Sequence, residues 1–577
     1  MAGPHPVPLP PERERVRLEA LSEPRVRGSS ASAILRSLDR GDRAARDAPA
    51  LIRLHERLMF LLAYPPGVSV RRRVERLLEK FPARVERLEE EGVDLSPFDE
   101  PEVAGIAGTT VTTEFSFEVA RWLASRFPRR VGIDWDAADA PDRLGASLPR
   151  FVPLLEEEAL ADANVAYRAW LDAARNGTPD LSWLLSRFGS LADWRSAAEL
   201  FDALALPIEW RLGRSRWSRT FLRRPARKPF LHPGPLLARR DVSFEAELTA
   251  DALPARRLSV REGEQMLDFA RAATASRYRE FYGFTHGDPS SAIAARVGRG
   301  VDIFLFGVLA ERRLPLRAAH TAIVVKNGVP VAYYEGLSFF ERMEAGFNVY
   351  YSFREGESAW IYAKVLRLCR DALGVSSFSV DPYQIGRENE EAIASGAFWF
   401  YRKLGFRPTD PAAARLVARE EERLRRDPAR RTPAATLRRI ASRNLLYEIG
   451  APLGDGPGEW DRFHIRNLGL AVQRSMARDF GGSAKVIRLE SAARVARALG
   501  VSLPRGSETA RRTFEDWSLV LARIPDLVRW TPDEKRGVAA IVAAKSGRTE
   551  AAYLRRMRRH RRLREALIRL GSRPLRA

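Results

Sequence analysis

Residues 320–335 read HTAIVVKNGVPVAYYE, two apolar β-rich runs on either side of Asn327-Gly328. Asn-Gly between such runs is the strongest short hairpin signal, because a two-residue type I′ turn needs positive φ at both central positions. Outward from this hairpin, residues 347–353 (FNVYYSF) read as a further strand, and a helix is expected over 359–373, stopped by Gly374. Residues 375–380 read as a strand. A loop with Pro382 and Gly386 leads to an expected helix over 390–404, and Phe406 starts one more short strand. Strand, hairpin, strand, helix, strand, helix, strand predicts an α/β (α+β) domain with a mixed sheet over residues 251–410.

The flanks differ in character. Residues 29–205 are rich in Ala, Leu, Arg and Glu and read as mostly helical. One expected helix there, VRRRVERLLEKFPARVERLEEEG, is closed by Gly92. Residues 1–28 form a loose, Pro-rich leader expected to be disordered. Residues 206–250 read as a basic, aromatic linker, and helices return over 411–577. No apolar run reaches the roughly 18–20 residues that a membrane span needs. The lone Cys369 fits a reducing compartment and excludes a disulfide framework and a cysteine-rich zinc site. A cytoplasmic protein without a bound metal is the expectation. The seven histidines show no metal spacing, no GxSxG elbow is present, and residues 481–485 (GGSAK) lack the P-loop spacing.

Of the 577 residues, 96 are Lys or Arg and 74 are Asp or Glu, a net charge of +22. The balance is +1 over residues 1–250 (38 against 37), +2 over 251–410 (21 against 19) and +19 over 411–577 (37 against 18). A domain-sized basic segment is the footprint of a polyanion binder, nucleic acid first; a solvated basic face is the competing reading. Residues 210–228 add eight basic side chains with Trp210, Trp217 and Phe221 between them, a mixture that suits base stacking or a packed linker. An expected final helix, 549–570, carries an apolar stripe and seven arginines between Arg555 and Arg564.

Two motifs in the middle domain carry a resemblance. Residues 395–406, SGAFWFYRKLGF, place Ala397, Tyr401, Gly405 and Phe406 at the spacing Ala-x-x-x-Tyr-x-x-x-Gly-Phe. Phe353, Arg354, Glu355, Gly356, Glu357, Ser358 and Ala359 form a turn before a helix, where free N–H groups and the positive dipole end suit phosphate. With the order of elements, these make the middle domain resemble the GNAT N-acetyltransferase superfamily. The resemblance implies that the 353–359 turn holds the pyrophosphate of acetyl-CoA or another acyl-CoA. The turn is degenerate, since Phe353 and Ser358 replace the family's Arg/Gln and Gly/Ala and only Gly356 fits. It also implies that Tyr401 protonates the departing thiolate, that the sheet splays between the 347–353 and 375–380 strands, and that a carboxylate deprotonates the amine. Glu335 is the candidate base, with Glu341 and Glu344 as others. The family's Asn falls on Ala394, which leaves Asn389 as the substitute. The function implied is acyl-CoA-dependent N-acyl transfer to an unknown amine. The alternative is a catalytically inactive GNAT-like scaffold that binds nucleic acid or a protein.

Overall fold

The computed structural model describes residues 31–138, 141–157, 167–226, 228–450 and 458–572; the 1–28 leader lies outside the described residues. The N-terminal helices begin with Ala31–Ala44; the next, here α1 (Ala48–Ala63), is capped by Asp47, whose side chain accepts from the Ala50 N–H at 2.8 Å. The region is not purely helical. β1 (Thr110–Thr113), β2 (Val131–Ile133) and β3 (Ile208–Arg211) form a three-stranded antiparallel sheet ordered β1-β3-β2. The helix expected to end at Gly92 is two helices, Val68–Leu78 and Phe81–Glu90. The second starts with Phe81-Pro82, because Pro is tolerated in a first turn and not inside a helix.

The main sheet has nine strands: β4 (Ala255–Arg257), β5 (Ile293–Gly298), β6 (Val301–Phe306), β7 (Ala318–Lys326), β8 (Val329–Phe339), β9 (Arg342–Val349), β10 (Ser377–Val380), β11 (Arg407–Pro408) and β12 (Leu445–Glu448). Their spatial order is β11-β12-β10-β9-β8-β7-β6-β5-β4. All neighbours are antiparallel except β9 and β10. The Asn327-Gly328 turn has φ of 49° and 90°, as the hairpin reading requires. Residues 347–353 are only partly strand: β9 ends at Val349 and a 3₁₀ turn follows over Tyr351–Phe353. The sheet also runs past residue 410. β12 pairs with β10 on one side and β11 on the other, so a strand from the basic region completes the middle domain.

α2 (Val260–Ala275) carries a Ser259/Glu262 capping box and leads into the 276–288 segment on one face of the sheet. α3 (Ser358–Leu373) covers the other face. It ends at Gly374 with φ 73°, and its Tyr362 ring stacks on Phe347 of β9 at 4.9 Å. The helix expected over 390–404 is broken into α4 (Glu390–Ser395) and α5 (Ala397–Arg402), because Gly396 adopts φ 67° between them. The expected final helix is likewise split at His560 into Glu550–Arg559 and Arg561–Gly571, with the His560 ring capping the Leu563 N–H.

Candidate functional site

The register of β8, β9 and β10 sets the site. β9 pairs with β8 along its whole length, up to Ala332↔Val349. It pairs with β10 only as far as Glu344↔Ser379. Residues 345–349 therefore have no strand partner on the β10 side, and the sheet opens there. Side chains alternate across the pleat, so Tyr333, Glu335, Gly346 and Asn348 share one face, while Tyr334 and Phe347 share the other.

Glu335 lies on the first of these faces, opposite Gly346. Burial pushes its carboxyl up to about 7. Such a group gains and loses a proton near neutral pH, the property a general base requires. Asp381, beyond β10, is also raised, by burial and then by the Glu344 charge. Glu344 pairs with Arg317 at 3.3 Å and Glu341 is held by Arg564, so neither is as unencumbered as Glu335.

Tyr401 is on the opposite face. It is buried to 4% exposure, edge-on to Tyr362 at 5.8 Å and Phe406 at 5.8 Å. Burial raises its phenol above the ordinary range, so it stays protonated at neutral pH. Gly405 has φ 103°, and the Phe406 N–H donates back to the Tyr401 carbonyl at 3.3 Å, which closes the helix that carries Tyr401. Tyr401 and Glu335 thus flank the sheet from its two sides. Asn389 caps α4: its Oδ1 accepts from the Ala392 N–H at 3.0 Å and its Nδ2 donates to the Tyr383 carbonyl at 3.1 Å.

The 353–359 turn divides by direction. Phe353 is buried, whereas Arg354 and Glu355 are exposed, with Arg354 paired to Glu391. Glu357 turns inward at 1% exposure. Burial alone would raise its carboxyl, but Arg299 and Lys326 hold it below the usual value. Lys326 Nζ is 3.2 Å from Glu357 Oε2 and 4.8 Å from the centre of the Tyr64 ring. The carboxylate at 357 is thereby neutralised inside the protein. Ser358, at the N-terminus of α3, opens into a cleft of about 1240 Å³. Arg239, Lys403, Arg425, Arg430 and Arg431 line that cleft with Trp399 and Phe400, and Glu421 is its one lining carboxylate among the described residues.

A second, smaller pocket sits at the end of β9, where Arg277, Arg279, Tyr333, Asn348 and Tyr350 converge. The sequence reading did not find these residues. Arg277 is 3% exposed, and its Nε and Nη2 meet no hydrogen-bond partner among the described residues. Burial, then the neighbouring Arg219, pushes its guanidinium down to about 9, still charged at neutral pH. Tyr278, between the two arginines, has φ 55°, an outlier for a bulky side chain. The usable signal in the sequence is the run Arg277-Tyr278-Arg279 just past a helix end, and it does not by itself announce a pocket.

The basic, aromatic segment is packed in part: Arg211, Arg214 and Arg216 are exposed, whereas other side chains are buried. Trp210 is fully buried and stacks on Phe127 at 5.1 Å; Arg219 is 1% exposed and pairs with Glu56 at 2.6 Å. Trp210 therefore offers no surface ring for a base. In the last two helices Arg562 pairs with Asp526 and Glu534, and Arg564 with Glu341 and Glu459. Among the described residues no helix is long and apolar enough to cross a membrane, and no three His, Cys, Asp or Glu side chains gather as a metal site. No protein-family model matches the chain, and neither a curated protein nor a solved structure matches it.

Proposed function

We propose that the middle of the chain is an acyl-CoA-dependent N-acyltransferase of the GNAT type. The observation that carries the reading is the parallel β9–β10 pair that parts after Glu344, followed in the chain by the N-terminus of α3, whose Ser358 lines a basic cleft. A polyphosphate suits a helix N-terminus flanked by cations. Ser358 and the Arg239, Lys403, Arg430 and Arg431 side chains would hold the nucleotide end of the donor. The pantetheine arm would enter the gap beside residues 345–349.

The chemistry follows from what faces the gap. The Tyr350 N–H donates to Val331 on β8 at 2.9 Å. Alternation along the strand turns the Phe347 and Val349 N–H groups away from β8, toward the gap. They would donate to the thioester oxygen as negative charge develops on it. Glu335 takes a proton from the acceptor amine, and the nitrogen attacks the thioester carbon. The carbon–sulfur bond breaks, and the thiolate leaves and takes a proton from Tyr401, which solvent restores. The products are an amide and the free thiol.

The test is release of free thiol from acetyl-CoA in the presence of an amine panel, wild type against Glu335→Gln and Tyr401→Phe. Amine-dependent release that both variants weaken supports the reading. Release unchanged by both variants would remove it.

A further inference from the structure

We propose that the small pocket at the end of β9 is a carboxylate subsite, so that the acceptor is an amine carrying a free carboxylate. This rests on the transferase reading above and names the class of its acceptor. Arg277 and Arg279 would bind the carboxylate, and the amine would point along β8 to Glu335.

The pocket is built for one anion. Arg277 is buried with two N–H-bearing nitrogens unpaired, and its Cζ stands 4.2 Å from the centre of the Tyr350 ring. The Tyr350 hydroxyl is also buried and unpartnered among the described residues. Arg279 Nη1 donates to the Tyr333 hydroxyl at 3.4 Å. Buried donors without acceptors are rare, because each forfeits its hydrogen bonds to water. A planar guanidinium fork matches a carboxylate in two parallel bonds, which makes arginine the usual partner for that group.

The charge balance leaves room for a guest. Glu391, which lines the pocket, is paired with Arg354. Glu56, nearby, is taken by Arg219. Glu391 and, more weakly, Glu102, both lining the pocket, act on Arg279, and Glu56 acts on Arg277. Arg277 has no carboxylate of its own within ion-pair distance among the described residues.

Size and position agree. The pocket has about 50 Å³ open to small molecules. At about 10–15 Å³ per water, that holds a few waters or one carboxylate. Glu335 lies two residues from Tyr333 on the same face of β8, about 7 Å along the strand. One amino-acid unit of about 3.3 Å, with a hydrogen bond of about 3 Å at each end, would bridge that distance with its carboxylate on the arginines and its amine toward Glu335. The size suits free amino acids and the C-terminal residue of short peptides, and the arginine donors would disfavour their amides, which match in shape but lack the charge and turn an N–H toward the arginines.

The experiment pairs each probe with its amide: the free amino acids and two tripeptides, each as acid and as C-terminal amide. Binding is read by calorimetry, and transfer by thiol release from acetyl-CoA. The acids are expected to bind or react at least about tenfold better than the amides, since a site built for a hydrogen-bonding group rejects the analogue lacking it. Arg279→Gln should raise the acceptor KM at least about tenfold with a smaller effect on kcat, leaving the acetyl-CoA Kd unchanged. Arg277→Met should do the same, and Arg279→Gln stands alone if Arg277→Met does not fold. Equal response to acids and amides overturns the subsite while acetyl-CoA binding keeps the transferase reading. Weakening of acetyl-CoA rather than of the acceptor by Arg279→Gln also overturns it, and assigns the arginines to the donor. Carboxylate binding without any acetyl-CoA binding removes the transferase reading and keeps the anion site. No response to either removes both.

Discussion

The Tyr64 hydroxyl from the N-terminal helices rests against Gly356 in the turn before α3. A Cβ at 356 would stand 2.5 Å from that oxygen, and the next N–H, of Glu357, reaches the same oxygen at 3.4 Å. The N-terminal region thus abuts the turn proposed to hold the donor. Gly356→Ala must displace Tyr64 or the turn. It is expected to cost about 1–3 kcal/mol of stability, the usual penalty for overpacking, and to weaken acetyl-CoA binding. Denaturant melts and calorimetry check both. An alanine tolerated with unchanged affinity would show that the contact is slack.

Glu335→Gln separates catalysis from stability. As a base, Glu335 makes kcat/KM rise as pH passes through about 7, and glutamine should remove that limb and lower the rate about 10²–10⁴-fold. The stability effect has the opposite sign. A carboxyl raised from its ordinary 4.5 to about 7 holds its proton in the folded state over a range where the unfolded chain has released it. Folding stability therefore falls as pH rises from about 4.5 to 7 and then levels. The glutamine variant lacks that fall and should be more stable at pH 8 by on the order of 3 kcal/mol. Thermal melts at pH 5 and pH 8 test this against the wild type.

The Lys326–Glu357 pair is fully buried beside Tyr64. Arg299 also pairs with Glu357, so Glu357→Ala, which strands both cations, should cost about 3–5 kcal/mol, and Lys326→Met, which leaves the carboxylate with Arg299, should cost less. The Lys326→Met, Glu357→Leu double variant should recover most of it. The Glu357 carboxyl is held below its ordinary value, so the stabilisation it gives is complete above that value and is lost as pH falls through the lowered one. A double variant as unstable as the sum of the single ones would show that the pair contributes packing rather than charge.

Asn327 holds the hairpin turn in place. Its Oδ1 accepts from the Phe230 N–H at 2.7 Å, and its Nδ2 donates to the Ala63 and Phe230 carbonyls at 2.8 and 2.9 Å. Asn327→Ala removes these bonds from a residue that is 3% exposed and keeps the left-handed φ, so a loss of about 2–4 kcal/mol is expected. A change below about 0.5 kcal/mol would mean that the turn does not anchor the N-terminal region.

Arg430 and Arg431 stand exposed at the rim of the large cleft. Reversing both to Glu should weaken acetyl-CoA several-fold at low salt, with the difference shrinking as salt is added, since exposed charges are screened. A loss independent of salt would point to a lost shape rather than a lost charge.

The hairpin, the strands on either side of α3 and α3 itself were legible because each rests on local rules: Asn-Gly at the turn, apolar β-rich runs in the strands, Gly374 at the helix end; the parallel pairing of β9 with β10 is a long-range fact that no local rule carries. β12 escaped because a four-residue strand, LLYE, in a basic helical stretch carries no period of its own; it is fixed by pairing with β10 and β11. The break at Gly396 was hidden because a single Gly inside a helical pattern is tolerated, and only its left-handed φ reveals the turn. Tyr401 and Glu335 could be named from pattern and resemblance. That they face the sheet from opposite sides follows from register, which pairing alone sets. Arg277 was invisible because burial and an absent partner are properties of the folded surroundings, not of the residue. Of the two readings left open for Trp210, a stacking surface or a packed anchor, the structure shows the packed one, because β3 carries the ring into the core.

The most direct test of the transferase account is a thermal-shift titration of the full chain with acetyl-CoA and with desulfo-CoA. A ligand that binds only the folded state raises stability by mass action. The account predicts a saturable rise in Tm with both compounds, reduced by the Arg430→Glu, Arg431→Glu variant. No shift with either compound up to on the order of 1 mM would contradict it.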